Sequence, residues 1–344
     1  MERSSNDLER EYARDLPDAE LLAIGQLHDQ QALLAEDKSC YPRFVRLEGV
    51  HSMTGSLAPA EVWFVGAKVG SGKSLFCQNF MDDLIGQGIV TLYIGTEQDA
   101  HVLKLKHACI RAGVPARLMI KPERHEVESV LYREAESRVN VEMEWLASKQ
   151  MSRTALFANS EYIDRHELNV WIRGGVRKYG LKCVIVDHID QVKHGEGMNP
   201  VAEITATVQL LHEMAREYQI PIVIASQLKR SYGDAFKRYS PPDEEDFAGA
   251  SGKERIASVM LGLWRPLRTD LSMDELKVLK ERAKQGSSAE DRLFQPNTMG
   301  VRLLKDRLGS SPGMQTMVHV GKGGLLSDDP ASTHGIRTNR DYAR

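Results

Sequence analysis

The stretch from Glu61 to Leu75, EVWFVGAKVGSGKSL, constrains the fold more than any other part of the chain. It places an apolar strand candidate directly before a glycine-rich turn and a Lys-Ser pair. Gly70 and Gly72 allow backbone N–H groups to converge on phosphate oxygens, while a following helix N-terminus and the Lys73 ammonium supply positive charge. The pattern G-x-x-x-x-G-K-[ST] is not fully met, because Ala67 stands where its first glycine would be. The context still suits such a loop, with Leu75, Phe76, Phe80 and Leu84 continuing as an apolar helical run. Ala67, Lys68, Val69, Gly70, Ser71, Gly72, Lys73, Ser74 and Leu75 are therefore the expected cradle for a nucleoside triphosphate.

Further apolar runs extend this strand–loop–helix unit into an alternating α/β fold. Strands are expected at 61–66, 89–94, 155–158, 183–186, 221–225 and 258–264, with helices at 74–86, 99–112, 123–147, from 161 or 164 to 178, and 201–218 between them. Such alternation buries a parallel sheet under helices. A late strand pair, 301–306 and 315–320, flanks DRLGSSPGM and reads as a hairpin. Ahead of the core, Leu21, Leu22, Ile24, Leu27, Leu33 and Leu34 predict a short helix after Pro17 and Asp18, suited to packing on its own domain or on a neighbouring subunit. The expected organisation is a tail and docking helix over 1–44, a nucleotide-binding domain over 45–326, and a polar tail over 327–344.

A formal charge of −3 over 344 residues argues against a polycationic coat but leaves room for a local basic channel. The four cysteines, at 40, 77, 109 and 183, lack metal-ligand spacing, and Cys77 and Cys183 sit in apolar patterns as buried thiols. No signal peptide or apolar stretch of transmembrane length is legible, so a cytoplasmic protein without membrane attachment is expected. His101, His107, His188 and His194 form no convincing ligand set and read as structural or surface residues.

Several polar residues terminate the expected strands. Asp187, ending CVIVD, is placed to hold magnesium through water, and Glu97, following the neighbouring strand, to polarise water for attack on a terminal phosphate. Gln227 ends the strand before LKR and is a candidate sensor of that phosphate. Lys305 and Arg307 alternate along a late strand, where they either solubilise a hairpin or complete a neighbouring subunit's site in a ring. The segment 229–254 begins basic, turns acidic and is too long for a tight turn.

Taken in order, AKVGSGKS, IGTEQ, CVIVDHIDQV, PIVIASQLKR and RLLKDRLGSSPG resemble the C-terminal motor domain of the DnaB-type, RecA-like hexameric replicative helicases. The resemblance spans roughly 45–325, and alanine at 67 is at home in that family's loop. It implies a RecA-like core with ATP and Mg2+ as ligands: Lys73 and Ser74 on phosphate and magnesium, Asp187 supporting the metal, Glu97 activating water, and Gln227 coupling nucleotide state to DNA-facing loops. Lys305 and Arg307 look like the pair supplied to the adjacent subunit. Segments 193–200 and 229–252 look like DNA loops, with Lys193, Lys229, Arg230, Lys237, Arg238 and Lys253 as phosphate contacts that read no base sequence. Implied partners are a homo-oligomeric ring or spiral, single-stranded DNA, and an initiator, loader or primase.

Three features depart from the family pattern. The portion before the core is too short for a separate helical collar. His188 and Asp190 replace the usual aromatic and amide residues after the magnesium-associated aspartate, and PPDEEDF is acidic where a DNA-facing surface should attract. The implied activity is DNA unwinding by an ATP-driven ring; a DNA-stimulated remodeller without processive unwinding and a small-molecule kinase are the competing readings.

Overall fold

Apolar runs far apart in sequence become neighbours in one nine-stranded sheet, ordered β3-β2-β4-β5-β1-β6-β7-β8-β9. The computed structural model describes residues 41–122, 129–159, 163–193, 199–229, 236, 239–247, 251–307 and 312–328. By its contacts the chain divides into Met1–Tyr41 and Pro42–Arg344. Tyr41 apart, the first unit, with the helix expected after Asp18, lies outside the described residues; the sheet and its helices belong to the second.

After a short helix α1 (Glu48–Thr54), β1 (Val62–Ala67) leads into α2 (Lys73–Gly86), and β2 (Thr91–Gly95) into α3 (Ala100–Ala112). Two more helices, α4 (Ala116–Ile120) and α5 (Ser129–Met151), precede β3 (Ala155–Ala158). The first of these falls between the helices expected at 99–112 and 123–147. Then come α6 (Arg165–Tyr179), β4 (Cys183–Asp187), α7 (Pro200–Tyr218), β5 (Ile222–Gln227), α8 (Ser251–Ile256) and β6 (Val259–Trp264). The first six strands pair in parallel, while β7 (Thr298–Asp306), β8 (Gln315–Val320) and β9 (Leu326–Ser327) continue the sheet antiparallel. Between β6 and β7 the chain builds α9 (Met273–Lys284) and α10 (Ala289–Leu293), which share a small core of Ala283, Ala289 and Leu293.

The centre of the sheet is parallel because its strands are apolar on both faces. Along β1, Trp63 and Val65 join Phe76, Phe80 and Leu84 of α2 on one side, whereas Val62 and Phe64 join Ile172 of α6 and Leu211 of α7 on the other. This period-two division commits both faces to separate cores. Asp164 caps α6 by accepting from the Glu167 N–H, and Asn199 caps α7 ahead of Pro200, fixing where each helix leaves the end of the sheet.

The acidic stretch that departs from the family pattern folds back onto the first strand. Residues Glu244–Phe247 form a 3-10 turn, Asp246 accepts from the Asp243 N–H and lies 3.8 Å from the Lys68 ammonium, and the Phe247 ring covers Gly66. A Cβ at 66 would sit 1.9 Å from the Phe247 ring, so only glycine permits this docking. Gly66→Ala should therefore cost about 1–3 kcal/mol in urea unfolding. Adding Phe247→Ala should recover part of that loss, because the overlap is then removed.

Candidate functional site

β1 delivers the chain into a tight loop whose shape depends on two left-handed residues, Gly70 at φ 77° and Gly72 at φ 96°. The Ser71 N–H donates to the Lys68 carbonyl at 3.1 Å, and the Phe76 N–H reaches the Gly72 carbonyl at 2.9 Å, so α2 starts at Lys73. No side chain at Gly72 caps this helix, which leaves its first N–H groups for an anion.

Register brings the other strand ends to the same place. Ala67 pairs with Gln227 of β5, and Gly95 of β2 pairs with Asp187 of β4. Burial pulls the Lys73 ammonium below its usual pKa, and the Asp187, Asp190 and Glu97 carboxylates pull the other way. A cation and three carboxylates thus share one end of the sheet.

Asp187 is buried and held on one side only. The Tyr93 hydroxyl donates to its Oδ2 at 2.6 Å, while Oδ1 is buried without a hydrogen-bond partner. Burial, and then the Asp187 charge, push the Tyr93 phenol well above its ordinary range, so it remains a donor. The orphaned oxygen fits a water on a hydrated magnesium ion. Among the described residues no group of three or more His, Cys, Asp and Glu side chains is arranged to hold a metal. That is compatible with magnesium, which keeps several waters and takes its remaining ligands from phosphates and one or two protein oxygens. Ser74 and Asp187 are the residues that would hold it.

Thr96 fastens the ends of β2 and β4 together. Its N–H donates to the Asp187 carbonyl at 2.9 Å, and its hydroxyl lies 2.9 Å from both the backbone N–H and the carbonyl of His188. Glu97 is thereby set beside His188, whose Nε2 lies 3.0 Å from Glu97 Oε1 and whose Nδ1 lies 3.2 Å from Asp190 Oδ2. Asp190 also accepts from the Gln227 N–H at 2.6 Å and from the Lys253 ammonium at 2.9 Å. Burial would raise the Asp190 carboxyl, but His188, Lys253 and that N–H overcome it and hold the group well below the usual range.

The residues expected from sequence therefore fall into three groups. Residues 67–75, Glu97, Asp187 and Gln227 converge at one end of the sheet. Lys305 and Arg307 do not join them. Lys305 pairs opposite Met260, Met260 is beside Phe64, and the Arg307 N–H bonds Ser258, which bonds Val62 in turn. At about 3.3 Å per residue, Arg307 lies roughly 16 Å along the strands from Ala67, towards the opposite end. Within this chain its guanidinium donates to the Arg255 carbonyl, and Lys305 to that of Glu254. Among the expected nucleic-acid contacts, Lys193 and Lys229 are exposed, and Arg230, Lys237 and Arg238 lie outside the described residues.

Lys253 is a correction. It is buried, with its ammonium on Asp190 and on the Ser226 hydroxyl at 2.7 Å, so it braces the sheet end and is not presented to a ligand. His188, expected as a structural or surface residue, is buried and touches Glu97 directly. Tyr93, Thr96 and Asp190 are further site residues that the strand-end pattern does not expose. The tyrosine in TLYIG, the threonine in IGTEQ and the dense polar run after Asp187 are their signals in the sequence.

A family model for the DnaB-like helicase C terminal domain matches residues 44–302. Among solved structures, the ATPase domain of a separate protein superposes with a TM-score of 0.66 at 14% identity, covering 88% of this chain and 97% of that one. A DnaB-like replicative helicase, studied with its interactions with primase, gives a TM-score of 0.64 at 16% identity, with 90% and 66% covered. No curated protein matches the sequence. Identities this low show the fold alone, a RecA-like sheet with a late antiparallel extension, but the family model covers most of the chain. The protein belongs to the DnaB-like helicase C-terminal domain family.

Proposed function

We propose that this chain is an ATP-hydrolysing motor that assembles head to tail, translocates on single-stranded DNA and separates the duplex ahead of it. Lys73 and the N–H groups of the loop hold the phosphates, Ser74 and Asp187 hold magnesium, and Glu97 orients the attacking water. Magnesium, when bound, neutralises charge developing on the phosphate oxygens. Beside the loop, a cavity of about 150 Å³ between Gly70 and the Arg265–Phe294 pair offers a place for the nucleoside.

The observation that carries the reading is the separation of the two halves of the charge machinery. The loop and its carboxylates lie at one end of the sheet, and Lys305 and Arg307 extend towards the other, where they cannot reach the phosphates held by their own chain. An adjoining copy can. Lys193 and Lys229, exposed beyond the ends of β4 and β5, supply backbone contacts for a strand threaded through the assembly.

The test is ATP turnover with and without single-stranded DNA, measured together with assembly state and with strand separation of a forked duplex. Expected are oligomers, stimulation by DNA and unwinding that requires hydrolysis. Stimulation without separation would favour a remodeller of nucleoprotein complexes. An unstimulated monomer that phosphorylates a small molecule would replace the motor with a kinase.

A further inference from the structure

We propose that His188, Asp190 and Lys253 form a positioning relay that ties the Glu97 carboxylate to both ends of the segment between β5 and α8. The inference rests on the reading of Glu97 as the residue that orients water, and it concerns how that residue is set.

The relay runs through hydrogen bonds and one close charge approach. His188 Nε2 meets Glu97 Oε1 at 3.0 Å, and its buried Nδ1 faces Asp190 Oδ2 at 3.2 Å, in contact but without hydrogen-bond alignment. From Asp190 it divides. Oδ2 takes the Gln227 N–H at 2.6 Å, where β5 ends, and Oδ1 takes the Lys253 ammonium at 2.9 Å, inside α8. Lys253 then closes the fork through the Ser226 hydroxyl at 2.7 Å. One carboxylate thus fastens the last residue of β5 to the third residue of α8, and one imidazole connects that fastening to Glu97.

Burial decides how this arrangement behaves. His188 and Lys253 are buried, so neither can trade its partner for water at low cost. A shift at either end of the segment therefore moves Asp190, and the imidazole wedged against Asp190 carries the shift to Glu97. Glu97 itself is half exposed, with a side-chain accessibility of 48%, and is the mobile end of the chain of contacts. Water orientation responds to sub-ångström placement of the carboxylate, so a small displacement at the segment changes turnover. His188 and Asp190 act through Glu97 and are positioning residues. The two positions that depart from the family pattern are therefore the ones that form this connection.

The test compares wild type with His188→Ala and Lys253→Met, in the full chain, by hydrogen exchange of peptides covering 225–229 and 251–257 with and without a nonhydrolysable ATP analogue. In wild type the analogue should slow exchange at both ends about tenfold; in His188→Ala that response should disappear at both ends, and in Lys253→Met at 251–257, while analogue affinity stays within about twofold. Turnover provides a second reading: the DNA stimulation ratio should fall about tenfold in His188→Ala and no further when Lys253→Met is added, because the imidazole is the one connection to Glu97. An analogue response that persists at both ends in His188→Ala would overturn the relay, as would no response in wild type with analogue bound. Loss of stimulation in wild type with the exchange response intact would instead remove DNA as the activator and leave the relay standing.

Discussion

Arg307→Ala should lower ATP turnover by about three orders of magnitude while leaving nucleotide affinity nearly unchanged. The size follows from what a guanidinium does when it reaches a terminal phosphate from outside. It stabilises charge that develops only in the transition state, so its loss lowers kcat far more than it weakens binding. The geometry adds a second expectation. Because Arg307 lies towards the opposite end of the sheet from Lys73, a chain lacking Arg307 and a chain lacking Lys73 carry complementary defects. Each alone should be inactive, and an equal mixture should regain about a quarter of its interfaces, those pairing an intact loop with an intact arginine. Turnover of the mixture, checked against assembly state, measures this directly. Wild-type turnover by Arg307→Ala in a verified monomer would exclude the arrangement in trans.

The largest effect on stability is expected at Asp82, away from the site. Its Oδ2 meets Arg46 Nη2 at 3.0 Å, and its Oδ1 meets Arg111 Nη1 at 2.8 Å and His107 Nε2 at 3.1 Å, all largely buried. Asp82→Asn removes the charge that compensates two buried guanidinium groups, which typically costs about 3–5 kcal/mol. Asp83 and Glu142 keep a counter-charge near each arginine, so the lower end, about 3 kcal/mol, is expected. Burial alone would raise the Asp82 carboxyl, but Arg46 and Arg111, with the His107 bond, hold it far below the usual range. A depressed folded-state value stabilises the protein above the unfolded aspartate value near 4, and that contribution is lost as pH falls towards the folded one. The stability difference between wild type and Asp82→Asn should therefore be full at pH 6 and shrink steadily below about pH 4. Urea unfolding at several pH values checks it, and a difference that grows with acid would contradict the assignment.

Much of the fold is legible in the sequence because a parallel sheet announces itself locally. VWFVGA, TLYIG, CVIVD and IVIASQ are apolar enough to be buried on both faces, and the polar residues closing CVIVD and IVIASQ mark the end where the site assembles. What the sequence does not carry is strand order. Glu97 and His188 are neighbours only because β2 and β4 are, and Lys253 finds Asp190 across 63 positions of chain. A lysine among Gly, Ser and Glu reads as a solvated cation by composition, and burial makes it a brace. The docking of Phe247 on Gly66 is hidden for the same reason: the missing Cβ is visible in the sequence, but the ring that needs the space is not.

The Arg46 anchor also has a mechanical meaning. The Val45 and Arg46 N–H groups both donate to Asp83, the Arg46 guanidinium donates to the Asn79 carbonyl, and all of these acceptors belong to α2, the helix that begins at Lys73. A load entering the body along the chain from before Pro42 thus passes into the helix that carries the phosphate-loop lysine at its other end. A buried charge cluster, Arg46 with Asp82 and Asp83, joins the segment entering at Pro42 to the helix whose first residue is Lys73.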